Sequence, residues 1–170
     1  MEHIEELRAI QAKILELNQM VEQLIRSGQG EEDTETDGEI NSAETFESIY
    51  PLCMEPGFFK GKSVVAVIFP DGVRTETPTW KKLAEVVMKR CNEDASKHQA
   101  LMDLRRRVQG RSRQLLGNTA EGMRSALKID RGLYMETHYD TESLLRIMKT
   151  RILDAVGYDY SGIQVAIRNR

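Results

Sequence analysis

Cysteine is nearly absent from this chain of 170 residues, which holds only Cys53 and Cys91. Neither has the spacing of a metal ligand pair, and there is no third or fourth cysteine to complete a framework. A disulfide-stapled scaffold and a zinc module are both excluded, and a reduced, cytoplasmic setting is expected. Long apolar runs are missing too. The opening "MEHIEELRAIQ" is charged throughout, so it predicts neither a signal peptide nor a membrane span. No glycine-rich phosphate loop and no Gly-x-Ser-x-Gly elbow occurs. Asp71 follows Pro70 without a Glu-x-Lys at a useful distance, which leaves a restriction-type nuclease core unsupported. No cofactor and no metal is expected on these grounds.

What the chain does have is an uneven charge. Apolar residues make up 40% and charged residues 30%, and the formal net charge is −3. That small value conceals two opposed regions. Residues 1–59 carry 3 Lys/Arg against 14 Asp/Glu, giving −11, while residues 60–170 carry 21 against 13, giving +8. An acidic arm attached to a basic domain is the expectation.

The arm divides in two. In residues 1–27, Leu7, Ile10, Ile14, Leu17, Val21 and Leu24 are spaced 3, 4, 3, 4, 3. This is a heptad seam, with Ile14 and Val21 at a and Leu17 and Leu24 at d, and it predicts a coiled-coil helix through which the protein forms a homo-oligomer. Docking of the same helix on its own domain is the alternative. Residues 28–48 are rich in Gly, Ser, Thr and acids and contain no Lys or Arg. So little apolar surface cannot offset the entropy of ordering, and a disordered acidic linker is expected.

Residues 49–170 read as the folded domain. "KSVVAVIF" is a continuous β-rich run, Pro70–Gly72 a turn, and "VRTET" the returning strand. Thr79 stands as N-cap before an amphipathic helix that buries Trp80, Leu83, Ala84, Val87, Met88 and Cys91. A second helix through "SKHQALMDLRRRVQ" turns Leu101, Leu104 and Val108 inward and stops at Gly110. "RSRQLL" predicts a strand, and "ALKIDRGLYMETHY" a pair of strands around Asp130–Gly132. A helix capped by Asp140 or Thr141 buries Leu145, Met148, Ile152, Ala155 and Val156 and ends at Gly157. "GIQVAIRN" closes the domain as a strand. The order predicts an α+β fold, a mainly antiparallel sheet with helices packed on one face, preceded by the coiled-coil helix and the disordered acidic linker.

The run "GLYMETHYDTESLLRIMKTRILDAVGYDYSGIQVAIRN" (132–169), with "GFFKGKSVVAVIF" and "TWKKLAEVV", resembles a small module recurrent in proteins of Gram-positive gut bacteria and their mobile elements. The resemblance covers most of residues 57–170. It carries no activity and no functional residue, but its setting implies DNA transactions, transcriptional regulation or inhibition of host defence.

The densest charge lies in "LRRRVQGRSR" (104–113). Arg105, Arg106 and Arg107 fan around one helix end, and Arg111 and Arg113 share one face of the strand that follows. Arg124, Lys128 and Arg131 extend the set. Guanidinium forks suit phosphate oxygens, so these eight residues predict a nucleic-acid-binding patch, DNA or RNA. Cations are also favoured at helix C-termini, which explains Arg105–Arg107 without any ligand. A second motif, "YMETHYD", places Tyr134, Glu136 and His138 on one strand face with Asp140 beyond, a pattern that suits a metal or acid–base pair. The expected function is a non-enzymatic oligomeric nucleic-acid-binding or regulatory protein of a mobile element. A protein inhibitor of a host defence nuclease, anti-CRISPR-like and acting on a nucleoprotein complex, is the alternative. A metal-dependent enzyme using Glu136 and His138 is the third.

Overall fold

The computed structural model describes residues 46–110 and 113–169, together with Lys13 and Gln19, which are helical and exposed. The seam residues Leu7, Ile10, Ile14, Leu17, Val21 and Leu24 and the linker up to residue 45 lie outside the described residues, as does Arg111. All elements below belong to the unit Ser42–Arg170.

The fold is α+β with antiparallel sheets. Strands β1 (Glu47–Pro51), β2 (Ser63–Ile68) and β3 (Arg74–Glu76) join β7 (Gln164–Arg168) in one sheet of order β1-β7-β2-β3. Strands β4 (Leu116–Gly117), β5 (Ala126–Asp130) and β6 (Leu133–Glu136) form a second, of order β4-β6-β5. The sequence order suggests a single sheet. Two form because β7, last in the chain, inserts between β1 and β2 and is antiparallel to both. The β5–β6 hairpin is left to pair with β4 alone. The strand expected over "RSRQLL" shrinks to Leu116–Gly117, preceded by an isolated Gln109–Gln114 bridge.

Strand β1 corrects the linker boundary. Glu47 and Ser48, assigned to the linker, pair with Arg168 and Ile167. Exposed and half-buried residues alternate along β1, and it ends in proline, as edge strands tolerate.

Helix α1 (Trp80–Glu93) forms as its period predicts. Thr79 Oγ1 accepts the Lys82 N–H at 3.1 Å, and Leu83, Ala84, Val87, Met88 and Cys91 are buried. Trp80 is half-buried and donates its indole N–H to Lys62 O at 2.9 Å. α1 packs against both β2 and β5, so one apolar stripe closes a core shared by the two sheets.

Helix α2 (Ala95–Leu104) is capped by Asp94, whose carboxylate accepts the Ser96 N–H at 2.8 Å. It ends at Leu104, six residues before the glycine expected to stop it. Arg106 and Arg107 therefore lie in a turn beyond the helix.

Helix α3 (Thr141–Arg146) starts from Asp140, which accepts the Ser143 N–H at 2.8 Å. It runs on as a π-helical stretch, Ile147–Leu153, with Asp154 N–H bonded to Lys149 O at 2.9 Å. The change of pitch alters the predicted inner face. Ala155 is exposed, whereas Lys149 and Leu153 are buried beside Met148 and Ile152. Gly157, at φ +65°, follows in the left-handed conformation that ends the segment. No described helix is long and apolar enough to cross a membrane.

Candidate functional site

The basic residues differ in what surrounds them. On α1, Lys82, Lys89 and Arg90 are neutralised at close range, while Lys81, among the described residues, bonds only the Ser125 hydroxyl. Glu85 takes Lys82 at 3.0 Å and Lys89 at 2.6 Å, and Arg90 pairs with Asp71 and Glu93. Arg74 is held by Glu47 and Glu76, and Arg146 by Glu142. Arg106, Arg107, Arg113, Arg124, Lys128, Arg131 and Arg151 make no ion pair with another described residue. Their charge is open to an external anion, and it lies at the end of α2, along the second sheet and on the π-helical segment.

Arg105 does not belong with them. Half-buried at the C-cap of α2, it donates one guanidinium N–H to Gly132 O and approaches Met102 Sδ at 3.2 Å. It ties the helix end to the β5–β6 turn, which stands at Gly132 with φ +69°. This corrects its place in the predicted patch: its donors serve the fold. Arg106 and Arg107 are exposed one and two residues on.

The turn that Arg105 holds carries the exposed Arg131. Lys128 is exposed on β5, and Arg124 stands just before that strand. A five-residue strand spans about 17 Å, which sets Arg124 near one end of β5, Lys128 within it and Arg131 just past the other end.

Glu136 and His138 do not form the pair their spacing suggests. Glu136 is fully buried and His138 exposed. The Glu136 carboxylate accepts backbone N–H groups from Arg124 (2.6 Å), Ser125 (3.0 Å) and His138 (2.9 Å). Burial alone would raise its pKa. The N–H groups of His138, Arg124, Ser125 and Thr137 outweigh burial and hold it below its ordinary value. No group of three or more potential metal ligands occurs among the described residues. Glu136 is an anchor that fixes the chain on either side of the β5–β6 hairpin. Thr137 reinforces it, donating Oγ1–H to Ser125 O at 2.7 Å. Asp140, placed just beyond the motif, is the cap of α3.

His138 has a different set of neighbours. With Tyr139 it lines a cavity of about 440 Å³ whose other walls are Gly110, Arg113, Leu115, Ile147 and Arg151. Three distant stretches meet here. The first runs from the end of α2, where the Gly110 N–H donates to Arg113 O at 2.7 Å. A side chain at position 110 would meet Arg113 O at 3.0 Å and Leu115 Cδ2 at 3.3 Å, so glycine permits this close approach. The second is the end of β6, set by the Glu136 anchor. The third is the π-helical segment, which presents Ile147 and, one turn on, Arg151. Arg151 Nη2 donates to Gln109 O at 3.3 Å and keeps its remaining donors. The lining is mostly apolar, with two guanidinium groups, an imidazole and a phenol set into it. Burial, and then the Glu136 charge, raise the Tyr139 phenol above its ordinary value, with Arg113 acting in the opposite sense. Tyr139 is therefore a neutral donor and stacking face at physiological pH.

Sequence reasoning singled out Arg113 and His138 for separate reasons and missed Tyr139 and Arg151. Arg151 reads from its spacing as an ordinary exposed helix residue. Nothing local links it to Arg113.

His98 stands apart from this cavity. Its Nδ1 lies 2.8 Å from Asn92 Oδ1, and Asn92 Nδ2 donates to Asp130 Oδ2 at 2.8 Å. The three join α1, α2 and β5 as a structural tie.

Comparison with protein-family models, with curated proteins and with solved structures finds no match.

Proposed function

We propose that the domain binds nucleic acid, gripping the phosphate backbone through Arg106, Arg107, Arg113 and Arg151, with Arg124, Lys128 and Arg131 extending the track. The reading rests on one observation above others: these cations make no ion pair with another described residue, whereas Lys82, Lys89 and Arg90 on α1 are neutralised by nearby carboxylates. An excess of +8 over residues 60–170 supplies the long-range attraction. Nothing in this reading requires catalysis. The heptad seam of residues 1–27 would pair two such domains, and joining two modest sites raises apparent affinity through effective concentration.

The test is fluorescence anisotropy on the whole chain, with labelled DNA and RNA at rising salt. Binding should weaken steeply, because each phosphate contact releases counterions. Arg106→Ala with Arg107→Ala, and Arg113→Ala with Arg151→Ala, should each flatten the salt dependence. Absence of binding at low salt, or a slope unaffected by all four changes, would sink the proposal.

A further inference from the structure

The cavity between Arg113, Tyr139 and Arg151 holds more than backbone recognition needs. Phosphates on the outside of a duplex are met by exposed cations on a flat or convex surface, and Arg106 and Arg107 already provide that. A concave space of about 440 Å³ with Leu115 and Ile147 in its walls would stay empty against a duplex. Its size falls in the range of small-ligand sites. Its chemistry is of two kinds, an apolar and aromatic lining for something flat and uncharged and two guanidinium forks for something anionic. One unpaired nucleotide combines both.

We infer that this cavity receives a single unstacked nucleotide of a single-stranded nucleic acid. The base lies against Tyr139 between Leu115 and Ile147, and the adjoining phosphates meet Arg113 and Arg151. This rests on the nucleic-acid reading above and narrows it to strands whose bases are free. Bases in a duplex are stacked and paired, and extruding one costs free energy that a single strand does not expend. Stacking on an aromatic ring tolerates any base, so the site selects strandedness above sequence. His138, exposed beside Tyr139, adds a hydrogen-bonding group for a base edge or sugar.

Several built-in features hold the cavity in shape without the ligand. Glu136 fixes the backbone N–H of His138 at 2.9 Å, Gln109 O steadies Arg151 at 3.3 Å, and Gly110 lets Arg113 and Leu115 approach closely. Such prior ordering lowers the entropy cost of binding. A second hollow of about 410 Å³, lined by Tyr50, Lys62 and Arg168 among others, lacks these features. There the Lys62 ammonium already sits 4.8 Å over the Phe58 ring.

Anisotropy on the full chain, with a 20-nucleotide single strand and its blunt duplex at equal salt, tests this. The single strand should bind about tenfold tighter or more. Tyr139→Leu should remove most of that preference, on the order of tenfold given the worth of one stacked base, while Tyr139→Phe retains it. Arg106→Ala with Arg107→Ala should weaken both ligands alike. Equal affinity for the two ligands, or a preference that survives Tyr139→Leu, overturns the inference and leaves the general reading standing. No binding to either ligand removes both. Because Tyr139→Leu could disturb folding, the unaltered protein supplies a second measurement. Photocrosslinking to a single strand carrying 4-thiouridine should map to residues 138–139 or 113–115. Crosslinks confined to other segments overturn the inference.

Discussion

The Glu136 carboxylate receives the backbone N–H of Arg124 at 2.6 Å, twelve residues earlier in the chain. A buried charge thereby becomes the knot between the loop before β5 and the end of β6. Removing it strands several N–H donors, each of which costs about 1–3 kcal/mol when left buried and unpaired. Glu136→Ala should destabilise the domain by about 3 kcal/mol, read as a shift in the urea midpoint. An unchanged midpoint would contradict the anchor.

The same residue sets an acid limit. Its folded pKa lies below the ordinary value of 4.5, so the unfolded chain takes up the proton more readily. Its contribution is complete above about pH 4.5 and is lost as the pH falls through the folded value. Wild type should lose stability in that window, and Glu136→Gln, already weaker at neutral pH, should lose less. Parallel acid profiles for the two proteins would argue against it.

Neighbouring arginines should separate cleanly. Arg105→Ala removes a link to Gly132 O and should cost about 1–2 kcal/mol of stability. Arg106→Ala and Arg107→Ala are surface changes and should stay within about 0.5 kcal/mol of wild type. In binding the order should reverse. A thermal melt and a salt titration on the three variants give both answers. Equal losses of stability across the three would refute the division.

The two thiols should differ in reactivity. Cys91 is fully buried on α1, and burial pushes it up to about 11. Cys53 is exposed. At pH 8 an alkylating reagent should modify one cysteine in the folded protein and two after denaturation. Fast labelling of both in the folded state would show that the α1 stripe is not sealed.

Gly162 lies before β7, and a side chain there would come within 2.8 Å of Pro70 Cγ in the β2–β3 turn. Gly162→Ala should cost about 1–3 kcal/mol by overpacking. An unaltered unfolding midpoint would show that the turn yields freely.

The parts of the fold legible in the sequence are those governed by near neighbours. Thr79 and Asp140 cap the helices they precede, the α1 stripe is buried as its period requires, and Gly132 turns β5 into β6. Strand β1 was not legible. It is a short edge strand with exposed alternate residues, and only β7, more than a hundred residues later, gives it a partner. The π-helical stretch was not legible either, since Ile147–Leu153 carries an ordinary helical pattern.

The sequence by itself determined the opposed charges of arm and domain, the heptad seam and the helix boundaries set by caps. These depend on composition and on contacts within three or four residues. The tertiary structure alone decided what each charged group does. It turned Glu136 inward and engaged Arg105 with Gly132. It also drew Arg113, Tyr139 and Arg151 from three separate stretches around one cavity. The physical reason is that ion pairing, burial and cavity shape are properties of groups far apart in the chain. The pattern around any one of them carries no record of the others.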